Sequence, residues 1–595
     1  MTNKNKKIKI IFTLLLSMCL VVYFYKQLLN PSFFDADDYN HHAVRTANYY
    51  LALKQGQLPV RWGPNLNEGY GYPTFNYTYH FPYMVSVLFY IFGFSIQQSV
   101  NLSMLIAVLI ANLSSFLLIF FISKSKMFAF LGSLFFVLNP IILLNVFWRG
   151  AIGEMYFIAF IPLFFLAIEM IFDFNTKKNK FLAGLLLSLS LSIMIISHVP
   201  SILLLAFLAV PYLIYKFTSN SSKSFAETKR NIFIIFFFSS IACLITAWYF
   251  LPAFFEKKYI SYDSGQSLIQ YRQNFIKLGS LLDISRKINT SDQFLQVFQF
   301  GPTIILIFIS AFLTLFFKKH KEKTKLILFI ALFLLSIFLT NSLSQWFWQN
   351  SNFLQMIQYP WRILWINVFI SLYLLTILIG GINRKKQFII FLTLFILTIY
   401  SALGYSNRKQ MEYKSDYEWF EMTTTGTSFN EHQPIWSKMP YVFPDDILLL
   451  SIDQINDLNL VKDDNQLEQL VQSYTDYEIN LIENNGTKIN YQIKTSEDVV
   501  AIHKRLYFPG WIIKVDNQPA KIIKDIPHYQ GVLALEIPVG EREVLVEFSE
   551  RTNLRAIAEI ISLIAFLLTI GGSIVYLCYY NKLYTIGKPF KTSQQ

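Results

Sequence analysis

The sequence predicts an α-helical polytopic membrane protein with a β-rich domain near its C-terminus, and three observations lead to that fold class. Hydrophobic residues make up 54% of the 595 residues and charged residues only 15%, whereas soluble proteins average about 25% charged residues. Apolar runs of about 20 residues, enough to span a bilayer, recur along the chain. One long polar segment near the C-terminus contains stretches that alternate with the period of β-strands. This composition excludes a disordered chain, a collagen and a cytosolic enzyme of several soluble domains.

Twelve apolar runs are the predicted membrane spans. The run 79–96 is not among them, because Pro82 and Gly93 interrupt it and aromatic residues flank it; we expect a helix lying in the outer membrane interface there. The first span follows a group of lysines but lacks a small-residue cleavage site, so we expect an uncleaved helix. The spans lie near residues 8–30, 99–122, 127–146, 154–173, 180–198, 199–217, 231–251, 301–318, 324–342, 361–381, 387–405 and 555–580.

Basic residues in the short turns predict the orientation. Lysine and arginine accumulate in cytoplasmic loops of membrane proteins, and twelve spans then place both termini inside. The net charge of +13 is therefore mainly a topology signal, and we expect no nucleic-acid partner. The basic clusters are Lys124 with Lys126, residues 177–180, 223–230, 318–325 and 384–386.

Four longer segments are predicted to face outward: 31–98, 252–300, 343–360 and 406–553. The last holds most of the acidic residues and contains strand-like alternation at 488–494, with further short strands expected at 510–516, 531–538 and 542–550. We therefore expect a β-sandwich-like extracytoplasmic domain before the final helix. The three cysteines lie in apolar runs, so no disulfide framework is expected. The predicted domains are a transmembrane domain over 1–405 with its first outer loop at 31–98, the β-rich domain over 406–553, and a final helix with a cytoplasmic tail over 554–595.

The residues that could carry chemistry all fall on the predicted outer side. Ionisable residues at membrane spans are energetically costly, so each one is a functional hypothesis. The candidates are Asp35, Asp37, Asp38, His42 and Arg45 in the first outer loop, Tyr70 and Tyr72 further along it, Arg149 and Glu154 between the third and fourth spans, His198, Glu256, Trp361 and Arg362.

The acidic group of the first loop has three interpretations. Asp38 and His42 are four residues apart on one helix face, and an acid beside an imidazole suits general-base catalysis. The aspartates could instead be helix caps and first-turn acids. Asp35 and Asp37, together with a nearby histidine, could also hold a divalent cation, because such cations prefer carboxylate ligands.

Several of the other candidates also have a purely structural interpretation. Arg149 and Arg362 could anchor helix ends at the membrane surface, or they could clamp a phosphate, since a guanidinium pairs with two phosphate oxygens at once. Glu154 could be a first-turn acid or could support Arg149. His198 could satisfy backbone groups at a helix break.

The aromatic stretch containing Tyr70 and Tyr72 could form an interfacial belt, or it could stack sugar rings or cover an isoprenoid. The sequence contains no P-loop, no dinucleotide-binding glycine motif and no zincin motif. Nucleotide hydrolysis, dinucleotide chemistry and zincin-type catalysis therefore have no support.

The candidates, taken in order, resemble the polytopic glycosyltransferases of the GT-C fold. The chain is most similar to a bacterial group called 6-pyruvoyl-tetrahydropterin-synthase-related, or YfhO-like, membrane proteins. The resemblance rests on Asp38-x-x-x-His42-x-x-Arg45, residues 55–62, Gly69-Tyr70-Gly71-Tyr72-Pro73, Arg149-Gly150 with Glu154, His198, Leu251-Pro252, Pro360-Trp361-Arg362 and residues 507–511.

This resemblance implies that a sugar moves from a polyprenyl-phosphate carrier to an envelope or surface-glycan acceptor, with Asp38 as the base and Glu154 as a second acid near the donor. It places the site on the outer face of a bacterial cytoplasmic membrane. The partners implied are a lipid-linked sugar donor, a glycan or lipid acceptor and the membrane itself. The duplicated Asp37-Asp38 and His41-His42 leave the register open by one residue.

Two other functions remain open at this stage. A transporter or flippase of lipid-linked glycans should have charged residues at mid-membrane depth and broken helices that line a path. A non-enzymatic envelope assembly protein would depend on the β-rich domain, and Asp38 would be dispensable.

Overall fold

The computed structural model is mostly helical and carries a small domain of β-sheet before its last helix, as the sequence predicts. It describes residues 3–586 except 220–223, 262–269, 285–296, 318–321, 381, 406–407, 428–429, 444, 473–478 and 550. Parts of the predicted outer segment 252–300 and of the basic clusters 223–230 and 318–325 therefore lie outside the described residues.

The helices are numbered in chain order. The first half of the chain contains α1 (Asn3–Phe24), α2 (Tyr39–Lys54), α3 (Phe81–Ile91), α4 (Ile96–Ser123), α5 (Lys126–Val137), α6 (Pro140–Phe147), α7 (Ile152–Asp173), α8 (Lys177–Ile195), α9 (Ser201–Ser219), α10 (Phe225–Ile245) and α11 (Ala247–Phe255). The second half contains α12 (Leu278–Leu282), α13 (Gly301–Phe317), α14 (Lys323–Thr340), α15 (Gln345–Gln349), α16 (Asn352–Gln355), α17 (Leu364–Ile379), α18 (Arg384–Ala402), α19 (Asp416–Glu421), α20 (Ile452–Leu458), α21 (Asp464–Gln472) and α22 (Asn553–Ile586).

Each of the twelve predicted spans corresponds to a helix or a pair of helices. Ten helices among the described residues are long and apolar enough to cross a membrane, and α5 with α6 makes an eleventh candidate, bent by 46°. The span predicted at 127–146 is therefore present as a bent pair of helices: Asn139 caps α6 with its side chain and Pro140 follows, and a proline cannot continue the hydrogen bonding of the preceding helix. α13 is a shorter apolar helix. α3 has 11 residues, too few to cross a bilayer.

One end of the helix bundle collects the basic turns of the sequence. Glu169, near the end of α7, forms an ion pair with Lys216 of α9 at 2.6 Å. Lys180 of α8 likewise pairs with Glu227 of α10 at 3.1 Å. These contacts join turns that the charge pattern assigns to a common side, as the prediction from lysine and arginine requires.

The C-terminal domain contains two antiparallel sheets. Its strands are β1 (Ile447–Ser451), β2 (Ile479–Asn485), β3 (Lys488–Thr495), β4 (Val499–Leu506), β5 (Trp511–Val515), β6 (Gln518–Pro519), β7 (Val532–Ile537) and β8 (Gly540–Phe548). One sheet has the order β1-β4-β7 and the other the order β2-β3-β8-β5-β6. The predicted strands at 488–494, 510–516, 531–538 and 542–550 correspond to β3, β5, β7 and β8.

The two sheets face each other across a common core, which makes the domain a β-sandwich. Alternate residues of the strands supply that core, among them Tyr491 of β3, Leu535 of β7 and Val546 of β8. The opposite face of the three-stranded sheet packs against α20 and α21 in a second core. The central strand β4 is therefore covered on both faces, and almost all of its residues are buried.

The sandwich also packs against the loop that follows α2. The indole of Trp62 stacks on Phe548 with ring centres 5.2 Å apart, and it meets Trp511 edge-on at 5.6 Å. Trp62 is fully buried. This contact fixes the β-domain at the end of the bundle opposite to the basic turns.

Candidate functional site

The turn between α6 and α7 provides the first part of the site. Gly150 has φ +69°, and a Cβ there would lie 2.8 Å from the Tyr39 ring; only glycine combines that backbone conformation with so close an approach. The turn presents Arg149, whose Nη1 donates to Glu154 Oε2 at 2.8 Å and also to the side chain of Asn145. Arg149 and Glu154 are both buried.

The segment before α17 brings a second arginine to the same carboxylate. Arg362 lies in a 3₁₀ turn, Pro360–Ile363, and its Nε is 3.8 Å from Glu154 Oε2. Its Nη1 donates to Gln358 Oε1 at 2.8 Å. The Trp361 ring lies 4.0 Å from the Arg149 guanidinium carbon, a cation–π distance. The buried Arg149 and the nearly buried Arg362 thus share one carboxylate.

The acidic loop before α2 lies directly against this turn. The Asp37 amide donates to the Trp148 carbonyl at 3.0 Å, and the Asp38 amide donates to the Arg149 carbonyl at 2.9 Å. Asp38 occupies the N-cap position of α2, but its side chain makes no capping hydrogen bond. The helix-cap interpretation of Asp38 therefore lacks the bond that defines it, and the carboxylate remains available for another role.

The two aspartates face different neighbours. The Asp38 carboxylate acts electrostatically on Tyr79, Tyr83 and Arg362, so it is directed toward the pocket. Burial raises the pKa of the Asp37 carboxyl to about 6, and the charge of Asp38 adds to that shift while Arg149 opposes it. The Asp37 carboxyl is partly desolvated, although the residue as a whole is more exposed than Asp38, and the geometry favours the register that places Asp38 in the pocket.

His42 does not pair with Asp38, contrary to the expectation from their spacing. Its Nδ1 lies 3.0 Å from the Tyr83 hydroxyl. The His42 amide donates to the Asp38 carbonyl at 3.0 Å, but no hydrogen bond joins the two side chains among the described residues. The reason is geometric, because Asp38 precedes the first turn of α2 whereas His42 projects from the buried face of the helix. Arg45 Nη1 donates to the same Tyr83 hydroxyl at 3.2 Å. Tyr83 therefore links the histidine and the arginine.

His198 completes the pocket from the turn between α8 and α9. Its Nδ1 is 2.7 Å from Ser201 Oγ, and its ring lies 6.2 Å from that of Tyr79. Burial, reinforced by Arg362 and Arg149, lowers the pKa of His198 well below its ordinary value, so the imidazole is neutral near pH 7. Gly153 permits this packing, since a Cβ there would lie 2.7 Å from the Tyr79 ring.

Glu256 belongs to a separate ion cluster and not to this pocket. Arg555 of α22 donates to both of its carboxylate oxygens at 2.8–3.1 Å, and Asn76 donates to it at 2.8 Å. Arg61 donates to Asn76 at 3.0 Å and to Glu559 at 2.8 Å. This arrangement ties the first outer loop to the last membrane helix, and it does not bring Glu256 to the predicted substrate site.

Tyr70, Tyr72 and Asp35 are also placed away from the arginine pair. Tyr70 is buried against Tyr441 of the β-rich segment, with ring centres 5.6 Å apart. The Tyr72 hydroxyl accepts from the His432 amide at 3.0 Å. The backbone carbonyl of Asp35 accepts two bonds from the Arg408 guanidinium. Within the described ranges, no group of three His, Cys, Asp or Glu side chains is arranged to hold a metal ion.

Several residues at the site were not predicted from the sequence. Tyr79 and Tyr83 lie at the start of the segment expected to rest in the membrane interface, yet they face Arg45 and His42. Tyr359 stacks on Trp361 at 4.8 Å. Glu431, from the segment before the sandwich, acts electrostatically on Arg45 and His41. Of these residues, only Tyr79 and Tyr83 had a signal in the sequence, because their spacing of four residues indicates that they point in a similar direction.

Comparison with known proteins gives distant structural likenesses. No protein-family model matches the chain, and no curated protein sequence matches it. The bacterial group that the sequence resembles therefore stays a prediction.

Three solved structures illustrate the likeness. The mycobacterial arabinofuranosyltransferase AftD is 14% identical over 66% of this chain and 27% of its own, with a TM-score of 0.41. ArnT from Cupriavidus metallidurans, bound to undecaprenyl phosphate, is 10% identical. The match covers 66% of this chain and 75% of ArnT, with a TM-score of 0.38. The oligosaccharyltransferase AglB from Archaeoglobus fulgidus, in complex with an inhibitory peptide and a dolichol-phosphate, is also 10% identical. The match covers 74% of this chain and 62% of AglB, with a TM-score of 0.44. This chain spans about a quarter of the length of AftD, and TM-scores below 0.5 do not establish a shared fold.

Proposed function

We propose that the protein is a membrane glycosyltransferase that moves a sugar from a polyprenyl-phosphate carrier to an envelope or surface-glycan acceptor. One observation carries the proposal: the buried Arg149 and the nearly buried Arg362 share the carboxylate of Glu154 beside Asp38. The Nε of Arg362 lies 3.8 Å from that carboxylate and forms no hydrogen bond among the described residues, so this arginine can pair with an incoming anion. Guanidinium groups match the geometry of phosphate oxygens, so the phosphate of a lipid-linked sugar suits this position.

The reaction step follows from this arrangement. Asp38 accepts the proton of an acceptor hydroxyl, and the hydroxyl oxygen forms a bond to the anomeric carbon of the donor sugar. The bond between that carbon and the phosphate oxygen breaks, and its electron pair leaves with the lipid phosphate. Arg149 and Arg362 stabilise the negative charge that develops on the phosphate, which is where electrostatic catalysis has its largest effect.

The neighbouring side chains fix the arginines before the substrate arrives. Trp361 stacks against Arg149, Glu154 accepts from it, and Gln358 holds one end of Arg362. The Nε of Arg362 and the Nε of Arg45 have no hydrogen-bond partner within the described part of the chain. Buried donors without partners cost free energy, so a phosphate that accepts from them is stabilised.

The test replaces Asp38 by Asn, which keeps the shape and removes the base. We expect transfer to fall by about 100-fold or more, because general-base catalysis contributes that much, while expression and melting temperature stay near wild type. The donor for the assay is the polyprenyl-phosphate sugar that accumulates in cells that lack the protein. It is identified by mass spectrometry of lipid extracts from those cells. Asp37→Asn is the control for register. Full transfer by both variants would reject the assignment of the base.

A divalent cation at Asp35 or Asp37 is the alternative use of the acidic loop. The same transfer assay distinguishes it, because removal of cations with a chelator then stops transfer and added Mg²⁺ or Mn²⁺ restores it. Transfer that is insensitive to the chelator supports direct catalysis by Asp38.

We also propose that the site faces outward from a bacterial cytoplasmic membrane. The orientation is supported by the basic turns, which lie at the end of the bundle opposite to Asp38. In a background without the native cysteines, a cysteine at exposed Asn480 of β2 should react with an impermeant reagent on intact cells. A cysteine at exposed Lys385, in the first turn of α18, should react only after the membrane is opened. The reverse labelling pattern would invert the topology.

A further inference from the structure

A polar cleft lies between the C-terminal end of α2 and the five-stranded sheet of the β-domain. Its volume is about 850 Å³, which is in the range of ligand sites, and ligand sites occur preferentially where domains meet. The polar lining includes Lys54, Gln57, Asn485, Lys488, Glu547 and Arg551. None of these residues belongs to the arginine pocket or to the ion cluster around Glu256.

Contacts between the first outer loop and the β2–β3 hairpin fix the walls of this cleft. Thr487 Oγ1 donates to Gln55 Oε1 at 3.0 Å. A Cβ at Gly486 would lie 2.0 Å from the Pro64 side chain, so the hairpin backbone rests directly on the loop. The Asn485 side chain accepts from the amides of Thr487 and Lys488 at 3.0 and 2.9 Å. The cleft is therefore formed before any ligand binds.

The charges of the cleft are only partly paired. Lys488 forms an ion pair with Glu483 at 2.7 Å, and Glu547 acts on the same lysine. Among the described residues, Lys54 and Arg551 form no ion pair. Amide, hydroxyl and carboxylate groups beside two unpaired cations can bind a ligand that carries many hydroxyls and some negative charge.

The position of the cleft sets the size of that ligand. α2 begins next to Asp38 and ends at Lys54, so its 16 residues separate the two sites by about 24 Å at 1.5 Å per residue. A single sugar cannot reach both places. A chain of several sugars that lies along α2 can occupy the cleft while its growing end reaches Asp38.

We propose that this cleft binds an acidic oligosaccharide chain, and that this chain is the acceptor of the transfer reaction. The second part rests on the proposed function, whereas binding in the cleft does not. An anionic lipid headgroup is the main competing ligand, because Arg551 immediately precedes the membrane helix α22. The amide and carboxylate groups of Gln57, Asn485 and Glu547 favour the oligosaccharide, because they form hydrogen bonds with sugar hydroxyls that a phosphate group does not carry.

The experiment measures binding to the purified full-length protein in detergent by microscale thermophoresis. The probes are hexagalacturonate, which is acidic, and maltohexaose, which is neutral. We expect hexagalacturonate to bind more tightly, and the double variant Lys54→Ala/Arg551→Ala to weaken that binding by about tenfold or more, since two charge-assisted contacts are lost. Lys494→Ala is the matched control, because this lysine lies on the same strand as Lys488 but outside the cleft.

The outcomes separate the cleft from the catalytic proposal. Asp38→Asn should bind hexagalacturonate like wild type. Binding of hexagalacturonate by a wild-type protein that shows no transfer rejects the proposed function and leaves the cleft intact. Failure of both hexasaccharides to bind, or equal binding by wild type and the Lys54→Ala/Arg551→Ala variant, overturns the cleft proposal. The lipid alternative is tested with nanodiscs of phosphatidylglycerol and of phosphatidylcholine. If the Lys54→Ala/Arg551→Ala variant loses affinity only for the phosphatidylglycerol nanodiscs, the cleft is a lipid site and the oligosaccharide proposal is overturned.

Discussion

Two clusters of buried or nearly buried arginines can be compared in the part of the chain that the structure describes, and both lie at the end of the helix bundle that carries the β-domain. In the first, Arg61 and Arg555 meet two carboxylates, Glu559 and Glu256. In the second, Arg149 and Arg362 share one carboxylate, Glu154. The residue types are the same, and the difference lies in how completely the charges are paired.

That difference separates a structural role from a functional one. Arg555 makes three hydrogen bonds to Glu256, and Arg61 donates to Glu559, to Asn76 and to the Trp248 carbonyl. The first cluster therefore compensates its own charge. In the second, two arginines lie around the carboxylate of Glu154, but only Arg149 is hydrogen-bonded to it, and the Nε of Arg362 lies 3.8 Å away. A site that binds an anion should retain such an incompletely paired cation.

The largest expected effect concerns stability in the compensated cluster. Arg555→Met leaves Glu256 buried without its cation, and breaking a buried ion pair in this way costs about 3–5 kcal/mol. We expect a strongly lowered melting temperature in detergent. The double variant Glu256→Gln/Arg555→Met should recover much of the loss, because no buried charge is then left alone. An unchanged melting temperature in Arg555→Met would mean that the cluster does not hold the last helix.

The matched change in the second cluster should behave differently. Arg362→Met removes the incompletely paired cation and leaves Arg149 paired with Glu154, so we expect the free energy of unfolding to change by less than about 1 kcal/mol. Transfer should nevertheless be lost. If Arg362→Met destabilises the protein as much as Arg555→Met does, the two clusters are equivalent and the comparison fails.

The sequence predicts the elements of the fold far better than these clusters. Apolar runs locate the spans, and strand-period alternation locates β3, because both signals are local. Glu256 and Arg555 are 299 residues apart in sequence, and no local pattern connects them. Glu256 was for that reason expected at the substrate site.

Local spacing also misled the expectation for the acidic loop. The interval between Asp38 and His42 suggested that both lie on one helix face, but Asp38 lies at the N-cap position before α2, as the capping interpretation expected. Tyr83 was missed because the apolar run 79–96 indicated an interfacial helix, and its hydroxyl contacts with His42 and Arg45 depend on tertiary packing. By contrast, the common location of Arg149, Glu154, His198 and Arg362 follows from their positions at span ends, and the structure brings them together.

A smaller effect is expected when the shape of the arginine is changed but its charge is kept. Arg362→Lys supplies a point charge in place of the planar fork. We expect turnover at saturating donor to fall by about tenfold, because the lost bonds matter most as charge develops on the phosphate, and membrane insertion to stay normal. Arg61→Lys in the other cluster should leave turnover unchanged. If Arg362→Lys turns over like wild type and only its affinity for the donor changes, Arg362 is a binding residue. If neither the turnover nor the donor affinity changes, Arg362 is a membrane anchor.

The smallest expected effect is a pH dependence of stability from Asp37. Its pKa is raised to about 6 in the folded protein, above the value of about 3.9 for an unperturbed aspartate. The native state therefore binds a proton more tightly than the unfolded state, and its stability falls as pH rises from about 4 to about 6. Asp37→Asn does not titrate, so it should be slightly more stable than wild type above pH 6, by less than about 1 kcal/mol because the side chain is partly exposed. The difference in melting temperature should vanish below pH 4. A variant that is instead less stable than wild type at pH 7 would show that ionised Asp37 is held by Arg149 or Arg408, and the acidic loop would then resemble the compensated cluster.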